Sequence, residues 1–194
     1  MPHQKSLVRT ILEPLACAVA LAFVVRAAVQ IYSIPSASMA PTLHAGDQIL
    51  VTPYFQRSAP DRGHVIVFHS PVTGELLVKR VVAVPGDLLD SRLGRVRIGG
   101  HTLPEPYVLR EAATGAIPAQ IVPSNCYFVL GDNRDESIDS RSWGFVQRER
   151  VVGRARLVLW SSAPLGEIAS ASAPANASVV RSLRAPHRVF KWIE

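Results

Sequence analysis

Leu76-Leu77-Val78-Lys79-Arg80-Val81-Val82-Ala83-Val84, closed by Pro85-Gly86-Asp87, is the stretch that decides the fold. Branched aliphatic residues crowd it, and such side chains favour the pleated strand over the helix. Pro-Gly-Asp then supplies a turn. The same run poses a chemical question, because Lys79 lies among Leu77, Val78, Val81 and Val82. An amine buried in apolar surroundings is pushed toward its neutral form. By pattern alone, the favoured reading is a lysine that alternates out into solvent, its stem lying along the sheet.

Outward from this strand the pattern repeats. Gln48–Val51, His64–Phe68, Val96–Ile98, Tyr127–Leu130 and Ala155–Trp160 are short runs rich in β-branched or aromatic residues. Pro60-Asp61-Arg62-Gly63 and Gly99-Gly100 punctuate them as turns. No segment after residue 33 keeps a 3.6-residue period over three turns, and no internal repeat is visible. The reading is mainly β: one mostly antiparallel domain over residues 33–194. Within it, residues 161–182 are Ala/Ser-rich and predict a poorly ordered loop. Arg188–Ile193 returns to an amphipathic pattern and should dock again.

The N-terminus is of another kind. Leu15–Val25 is wholly apolar, but those eleven residues give roughly 16 Å of helix against a bilayer core of about 30 Å. Spanning requires residues 11–32, with Arg26 snorkelling toward headgroups and Tyr32 as interfacial anchor. Lys5 and Arg9 then keep residues 1–10 cytoplasmic and send everything after Tyr32 outward. A cleavable secretory signal fits the same hydropathy, with Ala27-Ala28 as small residues after the run.

With 194 residues, 48% of them hydrophobic, the chain has room for one modest domain plus an anchor. The net charge of +6 is scattered, with no run of five basic residues, which argues against a nucleic-acid partner. A basic domain facing anionic lipid headgroups fits the charge at least as well. Cys17 lies inside the apolar run, so Cys17 and Cys126 are expected as separate thiols.

Two further blocks carry chemistry. Ile34-Pro35-Ser36-Ala37-Ser38-Met39-Ala40-Pro41-Thr42-Leu43 holds two serines between prolines, which predicts an extended backbone. In an extended chain Ser36 and Ser38 point to one side. A serine hydroxyl needs a base before it is a nucleophile. None of the 6 histidines sits in a recognisable triad motif, although a triad is spatial and the sequence leaves it open. The other block is Gly131-Asp132-Asn133-Arg134-Asp135-Glu136-Ser137-Ile138-Asp139-Ser140-Arg141-Ser142-Trp143-Gly144. Its acids lack the order of a calcium loop, and His64 and His69, five apart in a strand, make a poor metal pair. No metal or cofactor is expected.

These three blocks, in this order behind the apolar segment, resemble the type I signal peptidases over most of residues 10–160. The resemblance implies an uncleaved transmembrane helix followed by an antiparallel β-sheet catalytic domain of the signal peptidase type. It implies a Ser–Lys dyad, with Ser38 as nucleophile and Lys79 as general base. The Ser36 hydroxyl and the Ser38 N–H would meet the oxyanion, and Ser137 would orient the lysine amine. Asp139 and Arg141 would form an ion pair that braces the loop. Residues 131–134 would form the turn that positions it, while Met39, Pro41 and Thr42 fix the backbone after the nucleophile. The implied partners are secreted preproteins bearing signal peptides and membrane lipid, with no nucleic acid. The implied place is the inner or plasma membrane, single-pass, with the domain on the extracytoplasmic (periplasmic) side. Two other readings stay open: a specialised processing peptidase of a conjugation system or organelle inner membrane, and a noncatalytic anchored β-domain binding exported proteins.

Overall fold

The branched runs become strands. In the computed structural model, residues 4–55, 58–108, 115–161 and 187–193 are described. The larger sheet comprises β1 (Gln30–Ser33), β2 (Gln48–Thr52), β3 (Val65–His69), β4 (Leu76–Ala83), β9 (Cys126–Leu130), β10 (Val146–Gln147), β11 (Val151–Ser161) and β12 (His187–Trp192). The smaller one comprises β5 (Leu88–Arg92), β6 (Arg95–Ile98), β7 (His101–Thr102) and β8 (Gln120–Ile121). Strand order is β1-β2-β11-β3-β4-β9-β10 in the larger sheet, with β12 also on β11, and β7-β6-β5-β8 in the smaller. The pairings of β11 with β2, β3 and β12, of β4 with β3 and β9, and of β5 with β6 and β8 are antiparallel.

Alternation along these strands builds the cores. Ile34, Met39, Leu43, Ile49, Val51, Val65, Val67, Ala155, Val158 and Ile193 form one buried cluster. Val82, Leu89, Val96, Phe128 and Leu130 belong to a second, which joins β4 and β9 to the smaller sheet. Cys126 packs half-buried against this second cluster, and both it and Cys17 are free thiols. A third gathers Ile66, Phe68, Val81, Tyr127, Val129 and Val146.

The 11-residue β11 is the spine, reached by β2, β3 and β12. Its register against β3 shifts between Val151 and Gly153. A β-carbon at Gly153 would lie 2.4 Å from the Thr52 carbonyl oxygen, so the close approach of β2 requires glycine. The chain end docks as expected. β12 pairs with β11, and the Ile193 N–H donates to the Arg156 carbonyl at 3.0 Å. Ser161, where a loop was expected to begin, is the last residue of β11 and is buried; residues 162–182 lie outside the described residues.

Contact density divides the chain into Met1–Gln30 and Ile31–Glu194. The first unit carries α1 (Gln4–Ala28). Among the described residues, no helix is long and apolar enough to cross a membrane. Glu13 and Arg26 close in on the apolar run, and the helix stops at Ala28. The helix expected to continue to Tyr32 is therefore corrected: Gln30–Ser33 is strand β1, and Tyr32 packs against the first core. A β-branched and aromatic pair, Ile31-Tyr32, suits the edge of a sheet.

Candidate active site

Lys79 and Arg80 are successive residues of β4, and both are buried, at 4% and 2% exposure. Their surroundings differ. The Lys79 ammonium nitrogen reaches the Ser38 hydroxyl, with Nζ 2.6 Å from Oγ. Among the described residues no ion pair joins Lys79 to a carboxylate. Burial, which penalises the charged form, therefore dominates and lowers the lysine pKa to about 8. The more distant carboxylates of Asp139 and Asp132 pull it up, and Arg141 pulls it down.

Ser38 is positioned by a turn, which corrects the extended backbone expected between the prolines. β1 ends at Ser33, and the Ile34 N–H donates to the Asp47 carbonyl at 2.8 Å. The chain then folds back, with Ala40 N–H on the Ala37 carbonyl at 3.0 Å and Leu43 N–H on the Met39 carbonyl at 2.9 Å. Met39 and Leu43 are buried in the first core, so apolar burial pulls the segment inward and curls it. Ser36 and Ser38 still come together, their hydroxyl oxygens 3.2 Å apart.

The third block wraps this turn. The Asn133 N–H donates to the Ser38 carbonyl at 3.1 Å, and its side-chain amide donates to the Ala37 carbonyl at 3.3 Å. Asp139, fully buried, accepts from the Gly131 N–H at 3.0 Å and from the Arg141 guanidinium at 2.7 and 2.8 Å. Arg141 also donates to the carbonyls of Arg134 and Ser137. Asp139 caps the short helix α2 (Ser140–Trp143), so one carboxylate ties both ends of the loop. A β-carbon at Gly131 would fall 2.5 Å from the Ser38 carbonyl oxygen and 2.3 Å from the Ser137 hydroxyl. Loop and nucleophile touch there with no room for a side chain.

Ser137 departs from its expected part. Its hydroxyl is buried and forms no hydrogen bond, so the lysine-orienting bond is absent. The Lys79 amine is turned to Ser38 instead, and the Ser137 oxygen lies against Gly131.

Sequence reasoning missed a second set of residues. Arg80 grips Asp132 with Nε at 2.9 Å and Nη2 at 2.8 Å, the pair being 2% and 1% exposed. Asp132 also accepts from the Thr42 hydroxyl, and the Arg80 guanidinium lies 4.0 Å from the Tyr107 ring centroid. Tyr107 donates to Glu105 at 3.1 Å, and Glu105 pairs with Arg134, which in turn donates to the Gly131 carbonyl at 3.0 Å. The one sequence signal was a second cation, Arg80, in an otherwise apolar strand: buried cations need partners.

Residues 7–160 match the family model described as signal peptidase, peptidase S26. Signal peptidase I of Leptolyngbya laminosa is 38% identical over 144 residues, covering 70% of this chain and 70% of that protein. Probable signal peptidase I-1 of Synechocystis sp. is 36% identical over 146 residues, covering 71% and 74%. A crystal structure of a signal peptidase I from Enterococcus faecalis V583 is 34% identical, covers 50% of this chain and 97% of that one, and gives a TM-score of 0.46. The chain belongs to the signal peptidase family, peptidase S26, and is a serine peptidase of the signal peptidase I type.

Proposed function

We propose that Ser38 and Lys79 are the nucleophile and general base with which this peptidase removes signal peptides from exported preproteins. The observation that carries the reading is a buried amine 2.6 Å from a serine hydroxyl, with its pKa lowered to about 8. The neutral amine takes the Ser38 proton as Oγ attacks the scissile carbonyl. The Ser36 hydroxyl and the Ser38 N–H stabilise the oxyanion that forms. The lysine, now charged, returns its proton to the leaving amine, and a water later releases the acyl group from Ser38 by the same route. Asp139 and Arg141 act as loop braces, since a carboxylate in contact with Lys79 would hold the amine charged.

The same proposal includes attachment to the membrane through α1, supported by the apolar run Leu15–Val25 and by Lys5 and Arg9 before it. Residues 33–194 would then lie on the extracytoplasmic side, where preproteins emerge.

The test is cleavage of a preprotein by detergent-solubilised enzyme. Wild type should release the mature chain, while Ser38→Ala should be inactive with an unchanged melting temperature. Ser36→Ala should keep turnover reduced about 100- to 1,000-fold, the usual loss for one oxyanion donor. Full activity of Ser38→Ala would overturn the assignment. For the anchor, alkaline carbonate should leave the protein in the membrane pellet, and a soluble species starting near Val29 would refute it.

A further inference from the structure

A second cluster of cations, apart from the Lys79 and Arg80 groups, has an unfilled demand for acceptors. Arg154 of β11 stands in register with Thr52 of β2 and Ile66 of β3. Two residues on, Arg156 donates from Nε to the Thr52 hydroxyl at 3.2 Å. Just past β2, the Tyr54 ring stacks on His64, centroids 6.1 Å apart at 22°. The Arg148 guanidinium lies 5.6 Å from the same Tyr54 ring centroid. Three arginines thus gather around one tyrosine.

Arg148 Nη2 donates to the Ser58 carbonyl at 2.5 Å and Arg156 Nε is taken by Thr52, but two donors of the cluster are left over. Arg154 Nε and Arg148 Nη1 are both buried and have no hydrogen-bond partner. A buried charged donor without an acceptor is costly, and such groups are rare without cause. The acid that acts on Arg154 is Asp61, which is exposed and accepts from the Arg62 N–H at 2.9 Å. His64 supplies no negative charge and no competing positive one. Its Nδ1 takes hydrogen bonds at 3.0 Å from the Asp61 N–H and from the Tyr54 hydroxyl, and burial with Arg154 nearby lowers its pKa. Tyr54 is pushed up to about 12 by burial, so it remains a neutral hydroxyl.

We propose that Arg148, Arg154 and Arg156, with Tyr54, form a binding site for a phosphate group. A phosphate presents several acceptor oxygens at once, which suits guanidinium forks arriving from β11 and from the turn just before it. It would satisfy the two orphan donors and offset the repulsion between Arg154 and Arg156. The group can come from free phosphate or from the headgroup of an anionic phospholipid. Phe55, the next residue after Tyr54 and 71% exposed, offers apolar contact for acyl chains and favours the lipid source.

The test uses the full chain in a zwitterionic, phosphate-free detergent. Inorganic phosphate is titrated at constant ionic strength, followed by heat of binding and by melting temperature. Mixed micelles carrying phosphatidylglycerol form the second arm. Wild type should bind and be stabilised. Arg154→Met and the more exposed Arg156→Gln should each weaken binding by about tenfold or more, the effect of losing one charge-assisted hydrogen bond. Arg95→Gln, on the β5–β6 hairpin, should leave binding unchanged. In phosphate-free solution Arg154→Met should melt at or above the wild-type temperature, since an unpaired buried cation has been removed. Tighter binding in the phosphatidylglycerol arm assigns the headgroup; tighter binding of inorganic phosphate assigns the free anion. Absence of binding by wild type in both arms, or equal binding by the Arg154 and Arg156 variants and wild type, would overturn the site.

Discussion

Lys79 and Arg80 are neighbours on one strand, equally hidden from water, and treated in opposite ways. Arg80 is given a carboxylate in bidentate contact, a carbonyl and an aromatic face. Lys79 is given a hydroxyl, burial and, among the described residues, no carboxylate in contact. A guanidinium stays charged in any protein, so burying it demands compensation. An ammonium can shed its proton, and leaving it uncompensated is what lowers its pKa to about 8. Burial alone thus makes a base; burial with a counterion makes a brace. The brace also serves the base. Asp132 is one of the carboxylates that raises the Lys79 pKa, and Arg80 partly neutralises that charge.

The largest effect should come from erasing the contrast. Lys79→Arg puts an always-charged group where no carboxylate awaits it, and it cannot accept the Ser38 proton. Cleavage of a preprotein should fall to background. A rate near wild type would mean that another residue is the base.

Breaking the other half should unfold rather than inactivate first. Asp132→Asn leaves Arg80 buried without its counterion, and losing one partner of such a pair costs about 3–5 kcal/mol. Urea denaturation should show the free energy of unfolding reduced by that amount. A loss below about 1 kcal/mol would show that the pair behaves like an exposed one.

The pH dependence sharpens the comparison further. Only the neutral lysine is a base, so kcat/KM should rise as pH passes upward through about 8. An acid limb near 6.5, where histidine titrates, would refute it. Stability carries the same sign. The folded pKa lies below the unfolded value of 10.5, so between the two the unfolded chain holds more protons and stability rises with pH. Lys79→Met should therefore gain on wild type below pH 8, and that advantage should close by about pH 10.5.

The smallest effect belongs to the aromatic face. Tyr107→Leu should cost up to about 2 kcal/mol, the range for a desolvated cation–π contact, while Tyr107→Phe should cost less. Equal losses in both would assign the contribution to the Tyr107–Glu105 hydrogen bond.

What was legible in the sequence follows physical range. β4 was readable because its branched residues express a local preference, and Lys79 drew notice because it breaks that run. β5 was not, since Asp90 and Ser91 interrupt its pattern and only pairing with β6 and β8 makes it a strand. β1 was absorbed into the apolar N-terminal run because hydropathy does not distinguish the end of a helix from the edge of a sheet. The turn at Ser38 was misread as extended, because proline rules act locally whereas Met39 and Leu43 answer to a distant core. The Arg80–Asp132 pair joins residues 52 apart, beyond any local signal. Ser36, Ser38 and Lys79 were named from resemblance, and their side chains meet in space.

Gly131 has a consequence for how variation at this site would look. A library holding all twenty residues at position 131 should return glycine almost exclusively after selection for processing, since even a methyl group collides with the Ser38 carbonyl at 2.5 Å. Neighbouring exposed positions such as Asp135 and Glu136 carry no such collision and should tolerate many residues. The resulting profile, one silent position among permissive ones, would be a genetic imprint of the contact between loop and nucleophile.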